Sequence, residues 1–138
     1  MDIVNHERKI IGEVKNKHNT IKGSDKSGLY SNMENLVMLK GHIYKDYTAY
    51  YIEIIPKTPK RYNDPFTPSN PRIGSLCSVN PLIRQIDGYS FYSLATGINN
   101  ALEQLFEILP KVIKKLKPQY DIIDETVIRL FFNKAFLG

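Results

Sequence analysis

Apolar and polar residues follow two different periods along the chain, and the changes of period divide it into predicted elements. Residues 2–17 hold two short β-branched runs around a polar stretch, which predicts a hairpin whose second strand covers 10–15. From Ser24, a candidate N-cap, apolar residues recur at every third or fourth position up to Gly41, which predicts a helix. Residues 47–55 are aromatic and β-branched throughout, and this pattern is typical of a buried central strand.

The last third of the chain is predicted to be helical. Residues 89–95 form a short candidate helix that ends at Gly97, and apolar residues from 102 to 116 lie on one side of a longer one. Proline removes a backbone hydrogen bond, so we expect a kink or a break in the longer helix, with Pro110 opening the second piece. Residues 121–136 predict a terminal helix that packs on the rest.

Basic residues are concentrated in three stretches, at 8–22, 57–72 and 111–117. The net charge is +5 and the pI is near 9.2. Clustered lysine and arginine gain affinity for a polyanion by releasing its counterions, so a nucleic acid is a candidate partner, and a solvated basic surface is the alternative. The second stretch falls in residues 56–81, which hold six of the eight prolines and predict a long loop of the kind that often carries function.

Composition limits the class of protein. The chain has 138 residues, which is the size of one domain. With 42% hydrophobic and 24% charged residues it fits neither a disordered polymer nor a membrane protein, and no apolar run reaches the ~18 residues of a spanning helix. Its single cysteine, Cys77, excludes an internal disulfide and a cysteine zinc cage. The first residues have no apolar signal core, so we expect a soluble cytoplasmic protein.

The triplet Glu13-Val14-Lys15 is the most informative candidate for chemistry. Side chains in a strand alternate, so Glu13 and Lys15 share one face with Cα atoms ~6.6 Å apart. If the hairpin loop has an even number of residues, Asp2 lies opposite Lys15 and diagonal to Glu13 on that face, and an odd number sends it to the other face. Two carboxylates can hold Mg²⁺, which binds a phosphate oxygen and activates a water, and a neighbouring ammonium can stabilise the negative charge that develops.

The alternative for this triplet is a surface hairpin with an ion pair worth ~0–1 kcal/mol. The apolar residues 10–12 that precede it indicate an interior strand, where paired charges are costly unless they are used. The chain then continues through the polar residues 16–20, which suit contact with phosphate.

These residues resemble a known nuclease family. Asp2, followed after ten residues by Glu13-Val14-Lys15, resembles the PD-(D/E)xK nuclease motif, with Met1 where the motif has proline. The longer string 8–20 is similar to the catalytic segment of type II restriction endonucleases that cut GGNCC. The similarity continues colinearly over most of residues 1–110, through Ile43–Lys45, Tyr47–Tyr51, Ile54–Lys57, Pro65–Pro68, Ile86–Gly88, Phe91–Tyr92, Thr96–Gly97 and Ala101–Phe106.

The resemblance implies an α/β (mixed α+β) fold, a restriction-endonuclease-like core with a mixed sheet flanked by helices. In that fold a helix and a strand precede the motif aspartate, so we expect the first helix and strand of the core to be missing here. The chain is then a single partial nuclease domain, residues 1–138. It comprises the catalytic hairpin, helix and central strand at 1–55, a proline-rich candidate DNA-recognition loop at 56–86 and C-terminal helices at 87–138. We expect such a C-terminal part of a longer enzyme to be weakly active or inactive alone.

The same resemblance implies Mg²⁺-dependent hydrolysis of both strands of a short duplex DNA site. Asp2 and Glu13 would be the metal ligands, and Lys15 would lie beside the attacking water. A homodimer is implied because a two-fold symmetric site is read by a two-fold symmetric protein. The resemblance also implies a cognate DNA methyltransferase in the same system and a location in the bacterial cytoplasm. A catalytically inactive DNA-binding or interaction module on the same scaffold is the alternative.

Candidate DNA contacts lie after the catalytic strand and in or just beyond the proline-rich loop. They are Lys17, His18 and Asn19, and then Lys57, Lys60, Arg61, Arg72 and Arg84. We expect the three arginines to read guanine, because a guanidinium offers a fork to its O6 and N7 atoms. The two loop lysines would more often bind phosphate. The alternative, that these residues only keep a proline-rich loop soluble, stays open.

Other motifs fit less well. His18-Asn19 is similar to part of an HNH nuclease motif, but His6 and His42 lack the spacing to complete a metal site. The tyrosines of residues 43–52 resemble the GIY-YIG motif, whose glycines are absent here. Two further acids, Asp64 and Asp87, are candidate metal ligands, but we expect each to be a turn or cap residue.

Overall fold

A computed structural model describes residues 1–17, 23–56, 60–68, 80–116 and 125–136. The elements in these residues are β1 (Ile3–Asn5), β2 (Ile10–Lys17), α1 (Gly23–Met38), β3 (Thr48–Ile55), β4 (Asn63–Pro65), β5 (Ile83–Asp87), α2 (Gly88–Thr96), α3 (Ala101–Leu116) and α4 (Glu125–Phe136). The strands form one sheet in the order β1-β2-β3-β5-β4. Strands β2, β3 and β5 are parallel, and the edge strands β1 and β4 run antiparallel to their neighbours. The predicted α/β class, with a mixed sheet flanked by helices, is confirmed.

The N-terminal hairpin forms as predicted. Residues 6–9 connect β1 to β2, and the Asn5 side chain accepts a 2.9 Å hydrogen bond from the Arg8 backbone N–H. The connection has four residues, an even number, and the register pairs Ile3 with Gly12. Continued by one residue, this register puts Asp2 opposite Glu13, which corrects the predicted position opposite Lys15. Because the shift is two residues, Asp2 stays on the predicted face of the hairpin.

The core lies on both faces of the sheet. Strand β3 is central, as predicted, and its residues 49–52 are buried. The face toward α1 carries a cluster of Ile11, Tyr30, Met33, Val37, Ala49, Tyr51, Phe66 and Ile83. The opposite face, toward α2, carries a cluster of Ile10, Tyr50, Ile52, Ile86 and Phe91. Burial on both faces explains why β3 reads as a continuous apolar and aromatic run.

Strand β4 and all but the last residue of strand β5 fall within residues 56–86, so the prediction of a loop is wrong for these residues. Strand β4 pairs with β5, and β5 is parallel to the central strand β3. Ile83 and Ile86 are both buried, but they belong to the two opposite core clusters. With two polar residues between them, β5 shows neither an apolar run nor regular alternation, so its sequence carries a weak strand signal.

Most of the helices lie where the sequence predicts them. Helix α1 begins at Gly23, so Ser24 lies inside its first turn and is not the N-cap. Helix α2 ends where Gly97 adopts a left-handed φ of 72° and donates its N–H to Ser93 O at 2.9 Å. Helix α3 continues through Pro110, so the predicted break is wrong. The proline ring is fully buried, and this apolar contact offsets the missing backbone hydrogen bond.

In the described ranges of the chain, no helix has both the length and the apolar composition needed to cross a lipid bilayer.

Candidate active site

Strand β2 changes from core to polar residues half-way along its length. Ile11 is buried against α1, and the next two side chains on the same face are Glu13 and Lys15. The Lys15 Nζ atom donates to Glu13 Oε1 at 2.9 Å, with the side chains 28% and 21% exposed. The two residues therefore share a face as predicted, and they are in direct contact at the boundary between core and solvent.

Asp2 is held against the same segment of β2. Its Oδ2 atom accepts a 2.8 Å hydrogen bond from the Val14 backbone N–H, and its own N–H donates to Gly12 O at 2.9 Å. The Asp2 carboxylate therefore lies beside the strand between the Glu13 and Lys15 positions. The Met1 amino nitrogen is 3.9 Å from Glu13 Oε2. The structure thus brings together Asp2, Glu13 and Lys15.

Two carboxylates at this position are candidate ligands for a divalent cation. In the described part of the chain, no group of three or more histidine, cysteine, aspartate or glutamate side chains could hold a metal. Mg²⁺ commonly takes only one or two protein carboxylates and completes its octahedral shell with water and substrate phosphate oxygens. The two carboxylates of Asp2 and Glu13 are hard oxygen ligands of this kind.

The neighbouring strand β3 adds a carboxylate that the sequence analysis missed. The parallel register pairs Glu13 with Tyr51 and Lys15 with Glu53, so these side chains share the α1 face. Glu53 Oε2 accepts a 2.7 Å hydrogen bond from the Tyr62 hydroxyl. The signal in the sequence was a single acid among the apolar and aromatic residues of a central strand, where a charge is costly unless it has a role.

Two tyrosines surround this carboxylate. The Tyr51 hydroxyl is buried and has no hydrogen-bond partner among the described residues. Burial first, and the nearby Glu53 carboxylate second, raise the pKa of Tyr51 to about 12. Burial and then the hydrogen bond to Glu53 also raise the pKa of Tyr62. Both phenols therefore stay protonated at neutral pH and can donate hydrogen bonds.

Two groups lie against the ring of Tyr51. Phe66 stacks on it with the ring centroids 5.1 Å apart and the planes at 11°. The Lys26 ammonium, on α1, lies 5.7 Å from the centre of the Tyr51 ring. Lys26 is thus a second cation at this face of the sheet, and the sequence analysis did not single it out.

Asp87 is the last residue of β5 and acts as a helix cap. It pairs with Glu53 in the register of β3 and β5 and is 1% exposed. Its Oδ1 accepts from the Tyr62 N–H at 2.9 Å and from the Ser90 hydroxyl, and its Oδ2 accepts from the Ser90 N–H at 2.9 Å. These contacts make Asp87 the N-cap of α2, as expected. Asp64 lies exposed in the middle of strand β4, so the expectation that it is a turn or cap residue is wrong.

The chain matches the Eco47II restriction endonuclease family over residues 1–117. The protein belongs to this family. The type II restriction enzyme Eco47II of Escherichia coli is 51% identical over 142 residues, an alignment that covers 99% of this chain and 59% of that enzyme. The type II restriction enzyme Sau96I of Staphylococcus aureus is 28% identical over 118 residues, which cover 79% of this chain and 41% of that enzyme. No solved structure shows significant similarity to the chain.

Membership in the Eco47II family confirms the resemblance to type II restriction endonucleases. The chain spans 59% of the length of the Escherichia coli relative and 41% of the Staphylococcus aureus relative. The residues of the candidate site, from Asp2 to Asp87, all fall within the part of the chain that matches the family.

Two of the three arginines predicted to read DNA, Arg61 and Arg84, already have protein partners in this family member. Arg61 forms an ion pair with Glu103, and its guanidinium lies 4.1 Å from the centre of the Tyr89 ring. Arg84 donates from Nε to Asn63 Oδ1 at 2.6 Å and from a terminal nitrogen to the Asn63 carbonyl. These contacts fix residues 60–68 on the fold. A role in reading bases stays a prediction for both arginines.

The remaining predicted DNA contacts are described only in part. Lys60 is exposed beside Arg61. Lys17 is the last residue of β2, and its backbone pairs with Ile55. The other four positions, His18, Asn19, Lys57 and Arg72, lie outside the described residues.

Proposed function

We propose that this chain carries the catalytic part of a type II restriction endonuclease, which hydrolyses phosphodiester bonds at a specific sequence in double-stranded DNA with Mg²⁺ as its cofactor. The observation that carries the proposal is the contact of Lys15 with Glu13 at 2.9 Å, with the Asp2 carboxylate bound at 2.8 Å to the residue between them. Membership in the Eco47II family supports DNA hydrolysis as the reaction, and it suggests a requirement for a divalent metal.

In this proposal Asp2 and Glu13 hold the metal ion on adjacent strands. When bound, Mg²⁺ supplies Lewis acidity to a phosphate oxygen and lowers the pKa of a bound water. Lys15 then orients the attacking water and stabilises the negative charge that develops on the phosphate. The partly buried position of the Lys15 and Glu13 side chains strengthens these electrostatic contacts, because screening by water is reduced there.

The partners of the whole enzyme belong to the same proposal. Double-stranded DNA is the substrate, and a homodimer would match a two-fold symmetric site. A cognate DNA methyltransferase would protect the host DNA. The endonuclease, the methyltransferase and the DNA would meet in the bacterial cytoplasm. The net charge of +5 supports binding to a polyanion.

A plasmid assay with two protein forms tests the proposal. One form is the 138-residue chain, and the other is the same chain joined to the part of the Escherichia coli relative that it does not match. With Mg²⁺ we expect discrete fragments from the joined form and little or no cleavage from the chain alone. Lys15→Ala should lower the cleavage rate by roughly 100-fold or more, because transition-state stabilisation is lost.

The matched control is Lys45→Ala, which removes an exposed lysine whose partner is Asp46. This variant should cut at the wild-type rate. DNA affinity, measured by fluorescence anisotropy, should change less than about threefold in Lys15→Ala, because Lys15 is one of 19 lysines and arginines and already has a carboxylate partner. A joined form that binds DNA but never cuts it would favour the inactive DNA-binding module. Normal cleavage by Lys15→Ala would show that its assigned role is wrong.

A further inference from the structure

Lys15 and a divalent cation would compete for the same carboxylate. The Lys15 ammonium donates to Glu13 Oε1, and the proposed function assigns Glu13 to the metal. Two positive charges a few ångströms apart at a half-buried position repel each other strongly. Lys15 must therefore move away from Glu13 when the cation binds. The Lys15 side chain is only 28% exposed, so losing its partner is costly unless another acceptor lies within reach.

Glu53 is the carboxylate next to Lys15 on the adjoining strand. The register of β2 and β3 pairs the two residues directly, and in a sheet such neighbours are separated by about 4.8 Å between strands. Both side chains lie on the α1 face. The four-carbon stem of a lysine spans this distance easily. In the described part of the chain, Glu53 forms no ion pair.

The surroundings hold the Glu53 carboxylate in place and leave it room for a cation. The Tyr62 hydroxyl binds Oε2 at 2.7 Å, and a carboxylate can accept about four hydrogen bonds in all. The Tyr51 hydroxyl is buried beside this carboxylate and is a second neutral donor next to it. A half-buried carboxylate that accepts a hydrogen bond from a neutral hydroxyl is an incomplete site for a positive charge.

The other acids on this face do not offer the same position. Asp2 and Glu13 are the proposed metal ligands. Asp87 lies one strand further from Lys15, and both of its oxygens already accept hydrogen bonds from Tyr62 and Ser90. Glu53 is therefore the acceptor that geometry and free hydrogen-bonding capacity both favour.

We propose that Glu53 is a positioning residue that receives the Lys15 ammonium when a divalent cation binds Glu13. The inference rests on the proposed function, because it takes Glu13 as a metal ligand. Moving from Glu13 to Glu53 keeps the ammonium on the same face of the sheet, beside the position of the attacking water. Glu53 thereby lets the metal and the lysine occupy the site together, and it does so without touching the metal.

A double-mutant cycle on Mg²⁺ binding tests this inference without a cleavage assay. Mg²⁺ alone is titrated into the 138-residue chain by isothermal titration calorimetry, in the wild type, Glu53→Gln, Lys15→Met and the double variant. Glutamine keeps the acceptor for Tyr62, so Glu53→Gln should retain the fold, which circular dichroism and the Tm check. Glu107→Gln, which removes an exposed acid on α3, is the matched control and should leave the affinity unchanged.

We expect Glu53→Gln to weaken Mg²⁺ binding about three- to tenfold in the wild-type background, since a displaced lysine then lacks an acceptor. In the Lys15→Met background the same change should cost less than about twofold, because no ammonium needs a new partner. Lys15→Met alone should tighten Mg²⁺ binding by removing the competitor. Glu53→Asp, which keeps the charge on a shorter stem, should recover part of the loss.

Two results would overturn the inference while leaving the proposed function intact. An equal loss of affinity with and without Lys15 would show that Glu53 acts on the metal directly. No loss in either background would show that Lys15 needs no second acceptor. If instead Glu13→Gln binds Mg²⁺ as well as the wild type does, the metal site of the proposed function fails, and this inference fails with it.

Discussion

Asp87 offers a direct test of how the fold supports the candidate site. Its carboxylate is 1% exposed and joins three parts of the structure, namely the end of β5, the first turn of α2 and the segment that contains Tyr62. Replacing Asp87 by alanine removes the acceptor of two backbone N–H groups, those of Tyr62 and Ser90. The Tyr62 side chain reaches Glu53, so the loss should also release this contact.

The size of the effect can be worked out from these contacts. Removal of an N-cap aspartate costs about 1 kcal/mol, with a range of roughly 0.5–2. The Tyr62 N–H, left without an acceptor at a half-buried position, adds about 1–3 kcal/mol. We therefore expect Asp87→Ala to lower the free energy of unfolding by about 2–4 kcal/mol. Domains of this kind have only about 5–15 kcal/mol in total, so the variant should lose a substantial share of its stability.

Urea unfolding monitored by circular dichroism measures this difference. Asp87→Asn is the matched control, because asparagine is also a good N-cap and keeps one oxygen acceptor, so it should cost about 1 kcal/mol. Mg²⁺ affinity should be the same in Asp87→Asn and the wild type. A loss below 1 kcal/mol in Asp87→Ala would refute the reasoning about the cap. Loss of Mg²⁺ binding in Asp87→Asn, with normal stability, would instead identify a metal ligand.

Four further substitutions have defined expectations. A Cβ at Gly88 would lie 3.0 Å from the β3 backbone, so Gly88→Ala should destabilise the protein by about 1–3 kcal/mol. A Cβ at Gly28 would meet nothing within 4 Å, so Gly28→Ala should stabilise the protein by about 0.5–1 kcal/mol. Measuring the Tm of both variants compares the two effects. The pKa of Tyr51 is raised from an ordinary 10 to about 12 in the folded protein, so the native state retains the proton to a higher pH than the unfolded state does. The free energy of unfolding therefore falls as the pH rises from 10 to 12. Tyr51→Phe should make this fall shallower in unfolding experiments at alkaline pH, and an unchanged slope would contradict the assignment. Arg61→Ala should cost about 0.5–1 kcal/mol because the guanidinium stacks on Tyr89, and a changed sequence preference in DNA binding would show that this arginine also reads bases.

The sequence predicted those parts of the site that depend only on the alternation of side chains within one strand. Alternation alone placed Glu13 and Lys15 on one face, and the structure has them in contact at 2.9 Å. The position of Asp2 was wrong by two residues, because alternation defines a face but the turn at residues 6–9 determines the partner. Glu53 was missed because its importance comes from the pairing of β2 with β3, which are separated in sequence by a whole helix.

The proline-rich region shows the limit of local patterns most clearly. Its prolines predict a loop, yet Pro65 ends β4, an edge strand, where a missing backbone N–H is tolerated. Strand β5 has two core faces and therefore no single period. Pro110 likewise predicts a break from local chemistry, and the burial of its ring in the fold outweighs that preference. In each case a tertiary contact decided the outcome.

The topology explains why the charged groups meet at one place. Strands β2, β3 and β5 are parallel, so their carboxyl ends lie at the same edge of the sheet, beyond the apolar layer under α1. Lys15, Glu53 and Asp87 are successive partners across these three strands. Tyr62 contacts two of the three, through its hydroxyl and its backbone N–H, and it belongs to the segment that Arg61 attaches to α3. If DNA binding moves residues 60–68, the Tyr62 side chain would therefore transmit the movement to Glu53, the acceptor proposed for Lys15.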